Sequence, residues 1–521
     1  MHSGIRNFTV DGMSQIKAGA ILNYVVILLN TLVGLLYTPY MLRMMGQGEY
    51  GLYALVASVI SYLTILDLGL GNAVIRYTSK FRAEGKQTEQ YEMFGMFFIL
   101  YLVIGLIALL AGSGLYMNID TLFGNTMTAS ELGKARVMMI LLIFNVAFTF
   151  PMSIFGSVIT AYERFVFPRV LNITRIILNT VVMICLLQLG YKAVAMVVVH
   201  TVFNVFTLLL NCIYCKRNLG IKLYFGKFKW GFLKEIAIYS FWIFLNVIMD
   251  KIYWNSGQFV LGAMVGTVAV AVFAVAIQLQ HMYMTLATAI TGVLLPKVTG
   301  MVVKTNNDKE ISNLFIRVGR IQYIAIGFIL SGFFVFGKPF IHLWAGDGYS
   351  NAYYVTLLFF VCMLPDLIQN AGIVIMQARN QVKFRAVLGI SVAVASLVLQ
   401  IILTEYYAEI GCAAAIAIMF FIGQGLIMNV YYSRKQKLDI VLFWKEILKM
   451  SVIPVFVVIL SKYIVHLYCI DSWNDLLISI TLFSIIYIPL FMGFSMNEYE
   501  RNLSISILTR IFRAKRKIKG V

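Results

Sequence analysis

Fourteen long apolar stretches constrain this chain more than any other feature of its sequence. Each has roughly the 20 residues that a helix needs to cross a hydrocarbon core about 30 Å thick. Backbone polar groups inside lipid must be satisfied within their own segment, and stretches without alternating polarity do that only as helices. We therefore predict an all-α polytopic membrane protein. The stretches lie at about 18–40, 51–73, 93–117, 137–160, 170–190, 193–215, 236–261, 268–295, 321–344, 352–377, 386–405, 411–432, 447–468 and 475–494.

Composition excludes a water-soluble globule. Of the 521 residues, 60% are hydrophobic and 12% are charged, whereas a soluble domain is nearer half apolar and a quarter charged. A soluble surface could not hide this excess, because it would carry apolar patches well beyond the few hundred Å² that monomers tolerate. The six cysteines are scattered through apolar stretches. We interpret them as packing residues, and a secreted disulfide scaffold is excluded.

The distribution of basic residues predicts the orientation of the chain. The sequence has 42 Lys and Arg and a net charge of +19. With the N-terminus placed in the cytoplasm, 34 basic residues fall on the cytoplasmic side, six on the other side, and Arg175 and Lys251 within spans. This positive-inside bias predicts that both termini are cytoplasmic and that the charge attracts anionic lipid rather than nucleic acid. The basic segment 501–521 is predicted to form an interfacial helix, with a disordered end as the alternative.

An internal repeat predicts two lobes. A shift of about 220 residues aligns Met45-Gly46 with Val265-Gly266 and carries the first six spans onto the next six. Halves with an even number of helices share one orientation, which gives a pseudo-twofold axis along the membrane normal and a central cavity. Chance alignment of two hydrophobic halves is the alternative. The predicted organisation is a cytoplasmic N-terminus at 1–17, a six-helix N-lobe at 18–235, a six-helix C-lobe at 236–446, two additional helices at 447–494 and a basic cytoplasmic tail at 495–521.

The sequence contains no motif of a catalytic, nucleotide or metal site that we recognise. The stretch 332–339 resembles a phosphate loop, but it has proline in place of the Ser or Thr that coordinates magnesium. One isolated C-x-x-C pair and five scattered histidines lack the spacing of metal ligands. The longest predicted outer loop, 118–136, offers only Asp120 and Glu131. We expect no enzyme activity and no cofactor, and a membrane glycosyltransferase or polymerase with an unrecognised site is the alternative.

Ionisable residues inside the spans are the candidate functional residues. A charge near the bilayer centre costs at least about 2.5 kcal/mol, so such residues face the bundle interior and by default mark a pathway. The predicted cations of the cavity are Arg76, Arg175 and Lys251, and the intramembrane carboxylates are Asp67, Asp250 and Asp366. Arg76 and Arg175 could instead extend to the interface. Asp250 and Lys251 could form a local ion pair, and Asp366 could satisfy a helix kink.

The three intramembrane carboxylates are also the candidates for ion coupling, because no nucleotide site is present to supply energy. We rank Asp67 and Asp366 above Asp250. Lys251 follows Asp250 directly in the sequence, and a neighbouring cation holds a carboxylate in its charged form. The sequence does not identify the coupling ion.

Two segments resemble a known family. Residues 37–53 (YTPYMLRMMGQGEYGLY) and 66–77 (LDLGLGNAVIRY) look like the N-terminal signature of bacterial polysaccharide flippases. These are the O-antigen and capsule exporters of the multidrug/oligosaccharidyl-lipid/polysaccharide (MOP) superfamily. The second half is similar more loosely, through 250–251, 273–276 and 377–381.

The resemblance implies a two-lobed transporter in the bacterial cell membrane. Its substrate would be an undecaprenyl-diphosphate-linked oligosaccharide, moved from the inner to the outer leaflet by alternating access beside glycan polymerases and glycosyltransferases. A cation-coupled multidrug exporter of the same superfamily is the main rival, and the predicted cavity cations favour an anionic head group instead. Lipid II flippases have a similar layout, so fold does not determine the sugar.

Overall fold

The computed structural model describes residues 12–226, 230–291, 295–304, 307–379, 381, 383–467 and 470–506. Every regular element among them is a helix, which confirms the predicted all-α class. The first nine helices are α1 Gly12–Met45, α2 Gln47–Ser61, α3 Leu70–Ala83, α4 Gln87–Met117, α5 Ile119–Phe123, α6 Ala129–Ala161, α7 Val166–Gln188, α8 Ala193–Asn218 and α9 Trp230–Met264. A 3₁₀ helix at Tyr62–Asp67 joins α2 to α3.

The second half of the chain contains nine further α-helices among the described residues. They are α10 Thr267–Thr291, α11 Leu295–Lys304, α12 Asp308–Ala345, α13 Asn351–Ile368, α14 Asn370–Ala378, α15 Lys383–Phe420, α16 Met428–Arg434, α17 Ile440–Leu467 and α18 Trp473–Phe494. A 3₁₀ helix at Asp347–Tyr349 follows α12, and a π-helix at Phe421–Ile427 joins α15 to α16. Residues 498–506 are helical, and the rest of the predicted interfacial tail lies outside the described residues.

Twelve segments of the described chain are long and apolar enough to cross a membrane. They are Lys17–Met45, Gln47–Ala83, Gln87–Met117, Ala129–Ala161, Val166–Gln188, Ala193–Asn218, Thr267–Thr288, Asp308–Ala345, Asp347–Ala378, Lys383–Arg434, Ile440–His466 and Trp473–Phe494. The protein is thus an all-helical polytopic membrane protein.

The predicted number of fourteen spans is not confirmed, and two places account for the difference. The predicted spans 386–405 and 411–432 both lie within Lys383–Arg434, a single segment of 52 residues. Its backbone leaves the helical conformation at Ala408, where φ is 46°. The predicted span 236–261 corresponds to α9, which has 35 residues but is not among the twelve segments.

The chain divides into two compact units. Unit 1 comprises Met1–Ala274 together with Ala393–Cys412, and unit 2 comprises Val275–Val392 together with Ala413–Val521. The lobe boundaries that the repeat predicts, at 18–235 and 236–446, remain a prediction.

Close helix packing in unit 1 depends on small residues. At Gly105 of α4, a Cβ would lie 2.8 Å from the carbonyl oxygen of Ala147 in α6. Two helix turns further, a Cβ at Gly112 would meet the Ile143 side chain at 2.7 Å. Lipid tails are as apolar as Leu, so membrane helices associate largely through such close contacts. The opposite face of α4 carries exposed Leu106 and Leu110, as expected for a surface in contact with lipid.

A buried ion cluster centred on Arg320 holds unit 2 together. The Arg320 guanidinium donates to both carboxylate oxygens of Glu500, at 2.6 and 2.8 Å, and to Glu446 Oε2 at 2.7 Å. It also donates to the carbonyl oxygen of Ser495 at 3.3 Å. Arg320 is 5% exposed and Glu500 is 1% exposed. The cluster thereby ties α12 and α17 to the segment that follows α18.

We expect Arg320→Met to lower the free energy of unfolding by about 3–5 kcal/mol, because it leaves the Glu500 carboxylate buried without its partner. The double variant Arg320→Met, Glu500→Leu should recover much of this loss, since an apolar pair often replaces a buried ion pair at little cost. Reversible denaturation in mixed micelles measures both. Arg317→Met is the matched control, because Arg317 is exposed and lies 4.7 Å from the Tyr499 ring. Equal stability of Arg320→Met and Arg317→Met would contradict the prediction.

Candidate functional site

Asp67 lies at an interruption of its membrane-spanning segment. The 3₁₀ helix Tyr62–Asp67 ends at Leu68 and Gly69, whose φ angles of 52° and 70° are left-handed, and α3 begins at Leu70. The Asp67 carboxylate lies beside two neutral donors, the Gly69 N–H and the Tyr101 hydroxyl. An interrupted membrane helix exposes backbone polar groups only where they line a cavity or contact protein. This local structure therefore places a carboxylate where it can meet a ligand.

A cavity of about 360 Å³ opens beside Asp67 within unit 1. Its walls come from α2, the 3₁₀ helix Tyr62–Asp67, α6 and α8. It brings together Asp67, His200 and Asn204, which are far apart in the sequence. Polar residues of α6, including Asn145, Thr149 and Ser153, complete its lining.

An amide network crosses this cavity from α8 to α6. Asn204 Nδ2 donates to Asn145 Oδ1 at 2.6 Å and to Thr149 Oγ1 at 2.9 Å. Asn145 Nδ2 in turn donates to Thr201 Oγ1 at 3.4 Å. The sequence analysis missed Asn145 and Thr149. Their spacing of four residues on one face of an apolar helix was the available signal, because polar residues in membrane helices usually face another helix.

The three predicted cavity cations all belong to unit 1 but have different surroundings. Arg175 is half-buried on α7, its Nη2 donates to Asn172 Oδ1 at 3.1 Å, and its charge acts on the nearby His200 at the cavity. Lys251 is half-buried on α9 next to the exposed Asp250, which attracts it. Arg76 is exposed on α3, with its guanidinium carbon 5.7 Å from the Tyr77 ring. None of the three is among the residues that line the cavity, and Arg175 is the one whose charge acts on a lining residue, His200.

Asp366 belongs to unit 2 and has a cationic neighbour that the sequence analysis missed. It lies near the end of α13, two residues before the last residue of that helix. The Arg385 guanidinium is close enough to attract the Asp366 carboxylate, and the buried Tyr432 lies near both groups. This attraction offsets part of the cost of placing a charged carboxylate in the membrane. Asp366 and Asp67 therefore have different electrostatic environments.

Two helix junctions of unit 1 have a common backbone geometry. Only Gly46, with a φ of 80°, separates α1 from α2. Two residues separate α9 from α10, and the second of them is Gly266, with a φ of 124°. Both glycines have positive φ angles that residues with a Cβ rarely adopt. They are the residues that the shift of about 220 aligns, and each joins the first helix of a predicted lobe to the second.

These junctions meet at a contact surface that we call the glycine seam, formed by Gly51, Thr126, Glu131, Gly262 and Thr267. A Cβ at Gly51 would collide with the Thr267 carbonyl oxygen, so α2 and the start of α10 touch through their backbones. Thr267 Oγ1 donates to Glu131 Oε1 at 2.8 Å, and Thr126 Oγ1 donates to the Gly262 carbonyl oxygen at 2.6 Å. The seam thus combines backbone contact with two side-chain hydrogen bonds.

Glu131 is held in the seam by its own helix. Thr128 and Glu131 form a capping box at the start of α6, in which each side chain accepts from the backbone N–H of the other. Close to it, Lys134 pairs with Glu49 at the start of α2. No group of three or more His, Cys, Asp or Glu that could hold a metal occurs in the part of the chain that the structure describes.

Comparison with known proteins gives a family and a fold. The sequence model of the family described as "Polysaccharide biosynthesis protein" matches residues 16–302, more than half of the chain. The uncharacterized membrane protein EpsK of Bacillus subtilis (strain 168) is 22% identical over 474 residues, covering 87% of this chain and 90% of EpsK.

Two solved structures show the same fold. One is the lipid II flippase MurJ in an inward closed conformation, with a TM-score of 0.69 and 15% identity, covering 91% of this chain and 97% of MurJ. The other is an inward-facing multidrug resistance MATE family transporter of the MOP superfamily, with a TM-score of 0.57 and 16% identity, covering 79% and 99%. This chain is therefore a member of the polysaccharide biosynthesis protein family, and it has the fold of the lipid II flippase MurJ and of the MATE family transporter.

Proposed function

We propose that this transporter is a flippase that moves undecaprenyl-diphosphate-linked oligosaccharide from the inner to the outer leaflet of a bacterial cell membrane. The observation that carries the proposal is the position of Arg175 and Lys251, which are half-buried in apolar helices of unit 1. A cation in the membrane costs at least about 2.5 kcal/mol on insertion scales and is retained where it meets an opposite charge. A diphosphate supplies that charge to Arg175, whose hydrogen-bond partner Asn172 is neutral, and adds to the charge that Asp250 already supplies to Lys251, whereas a cationic drug does neither. Arg76 is the third cation that we assign to the substrate path.

Moving a polar head group across the bilayer requires no covalent chemistry, only a path in which the head group stays solvated. Each polar group stripped of water without a new partner costs roughly 2–7 kcal/mol, and an oligosaccharide diphosphate has many such groups. A hydrated path keeps the head group in a polar environment while the lipid tail stays in the bilayer. Glycosyltransferases that build this substrate and a polymerase that consumes it are the expected functional partners.

The proposal takes fourteen membrane crossings with both termini in the cytoplasm. We assign two crossings to Lys383–Arg434, because 52 helical residues extend about 78 Å at 1.5 Å each, more than twice the hydrocarbon core. A Cβ at Gly411 would collide with the Leu403 carbonyl oxygen, which is consistent with a tight reversal around Ala408. α9 supplies the other crossing. The lobes are then 18–235 and 236–446, with 447–494 outside the repeat.

Alternating access supplies a role for the glycine seam. We assign the seam to the outer side of the membrane, which is the side that the positive-inside bias predicts for it. Its backbone contact joins α2 to α10, and its hydrogen bonds join Thr126 and Glu131, around the start of α6, to α9 and α10. These contacts link the two predicted lobes, so they close the outer end of any path between those lobes. Release of substrate into the outer leaflet would require the seam to open.

Asp67 is our first candidate for ion coupling, ahead of Asp366 and Asp250. Asp366 faces Arg385, and Asp250 adjoins Lys251, so a cation already balances each of those carboxylates. Asp67 instead lies beside neutral donors at a cavity. A carboxylate without a fixed counter-ion can exchange its charge with a proton or a metal cation.

We expect Asp67→Asn to remove the dependence of transport on a proton or sodium gradient, because the amide keeps the shape of the carboxylate but cannot carry the ion. Translocation by reconstituted protein, with and without each gradient, measures this. Asp471→Asn is the control, since Asp471 is exposed and outside the twelve spanning segments. Unchanged gradient dependence in Asp67→Asn would move the coupling role to Asp366 or Asp250.

Reconstitution tests the function itself. Proteoliposomes are loaded with undecaprenyl diphosphate that carries an oligosaccharide, and an added glycosidase reports how much glycan becomes accessible on the other face. A rate above that of protein-free vesicles is the expected result. Extrusion of an organic cation without any glycan movement would instead support the multidrug exporter. Movement of lipid II at the same rate as the oligosaccharide-bearing lipid would support a lipid II-type flippase. Elongation of the glycan would support a polymerase.

A further inference from the structure

Most of the side-chain hydroxyl groups that line the cavity in unit 1 accept hydrogen bonds from a ligand but have no hydrogen free to donate. Four of them donate their hydrogen to a carbonyl oxygen of the preceding turn. They are Ser61 to Ser58 at 2.7 Å, Thr64 to Ser61 at 2.6 Å, Thr149 to Asn145 at 2.7 Å, and Ser153 to Phe150 at 2.7 Å. A hydroxyl has one hydrogen and two lone pairs. Each of these groups therefore offers only lone pairs to a ligand.

The amide groups of the cavity also donate mainly to each other and to neighbouring hydroxyls. Asn204 Nδ2 donates to Asn145 Oδ1 and Thr149 Oγ1, and Asn145 Nδ2 donates to Thr201 Oγ1. The Asp67 carboxylate is an acceptor as long as it is charged. His200 and Tyr53 also line the cavity and each carry a donor group. Acceptors outnumber these donors, so a ligand that brings several hydrogen-bond donors or a positive charge matches the polar walls. The phosphate groups of a lipid carrier bring neither.

The volume of the cavity indicates the size of the ligand that it can hold. At about 30 Å³ for each water, 360 Å³ corresponds to about twelve waters. This is far more than one dehydrated metal cation fills, and it lies at the lower end of the range for pockets that enclose organic ligands. Tyr53 and Phe150 add aromatic residues to the lining. A polyhydric ring, with hydroxyl donors at its edge and an apolar C–H face, matches both the size and the lining.

The positive charge of Arg175 favours a sugar over an organic cation of similar size. Its guanidinium acts on His200 at the cavity wall, so a cationic ligand here would meet a like charge. The same guanidinium attracts a diphosphate attached to a sugar inside the cavity. Like charges close together are unfavourable, and opposite charges are favourable.

We propose that this cavity is a subsite for one sugar residue of the lipid-linked oligosaccharide, with Asp67, Asn204 and the lone pairs of Ser61 and Thr149 accepting from its hydroxyls. This inference rests on the proposed flippase function. It places recognition of the sugar within unit 1, separately from recognition of the diphosphate by cations. The subsite selects for donor geometry, so substrates that lack a hydroxyl at a contacted position bind less tightly.

Binding to purified protein in lipid nanodiscs tests the subsite. The probes are undecaprenyl diphosphate alone and the same lipid carrying one N-acetylglucosamine or one galactose. We expect at least one sugar to tighten binding about tenfold, as a few new hydrogen bonds would. Ala57→Phe fills the cavity, because Ala57 lines it, and should abolish this gain while binding of the bare lipid is retained. Ala57→Leu gives the same comparison with a smaller side chain if the Phe variant does not fold.

Ala111→Phe is the matched control, since Ala111 is exposed on α4 and away from the cavity lining. The inference is overturned if neither sugar adds affinity to the wild type, or if the gain survives in the folded Ala57 variants. It is also overturned if tetraphenylphosphonium binds the wild type and Ala57→Phe abolishes that binding, because the cavity would then be a site for organic cations. Failure of both bare and sugar-bearing lipid to bind would refute the proposed function instead.

Discussion

Gly51→Ala is expected to abolish glycan export, whereas Gly48→Ala should leave it close to wild type. A Cβ at Gly51 would collide with the Thr267 carbonyl oxygen and lie 3.1 Å from the backbone nitrogen of Ala271. A Cβ at Gly48 would meet only the ends of the Glu131 and Thr267 side chains, at 3.8 and 3.9 Å. The same chemical change is therefore incompatible with the closed seam at one site and compatible with it at the other.

The expected size of the effect follows from the cost of overpacking. Inserting a methyl group where the backbone must shift costs about 1–3 kcal/mol, which reduces the population of the closed seam about 5- to 150-fold. Elsewhere in a helix, Gly→Ala is favourable by about 0.5–1 kcal/mol. Loss of export in Gly51→Ala would therefore reflect failure to close and not a weaker helix.

Cysteine accessibility measures closure directly. Ala271→Cys, in a chain whose native cysteines are replaced, places a thiol at a fully buried position beside Gly51 of the seam. A membrane-impermeant maleimide should modify this thiol in the Gly51→Ala background and not in the Gly48→Ala background. If the thiol is equally protected in both backgrounds and both export normally, the seam does not gate the outer side.

The helices were predictable because the bilayer imposes their length and apolar composition. The alignment of Gly46 with Gly266 correctly indicated two helix junctions of similar backbone geometry. A positive φ angle at each junction requires a similar residue, and glycine adopts such an angle readily. The lone non-helical residue at Ala408 shows where such reasoning stops. The hydropathy profile separated 386–405 from 411–432, whereas the structure describes Lys383–Arg434 as one segment. Its backbone leaves the helical conformation at a single residue, and an alanine does not indicate a positive φ.

The surroundings of the charged residues were not predictable from one sequence. Arg385 lies near Asp366, and Arg320 binds Glu500 across 180 residues, so neither pair leaves a periodic signal. Asp67 was singled out because it is charged in an apolar stretch, but the interruption at Leu68 and Gly69 depends on two left-handed residues. A leucine gives no indication of a positive φ. Local rules therefore located the candidate carboxylates, whereas long-range packing determines which of them have a cationic neighbour.

The double variant Lys251→Ala, Arg175→Ala is expected to abolish export while the protein still inserts in the membrane. Hydrogen bonds to charged groups contribute about 1.5–3 kcal/mol each, so each single variant should lower the affinity for undecaprenyl diphosphate about 10- to 150-fold. Lys251→Arg keeps the charge and should retain part of the activity. Lys216→Ala is the control, because Lys216 is an exposed cation at the end of α8.

Two measurements distinguish loss of substrate binding from loss of the folded structure. The melting temperature of the purified double variant should stay near that of the wild type, because neither cation is held by a buried ion pair like that of Arg320. Binding of bare undecaprenyl diphosphate should fall in both single variants and weaken further as salt screens the remaining charge. Normal export by the double variant would remove the argument for a cationic path, and the acceptor-rich cavity of unit 1 would then favour a cationic substrate.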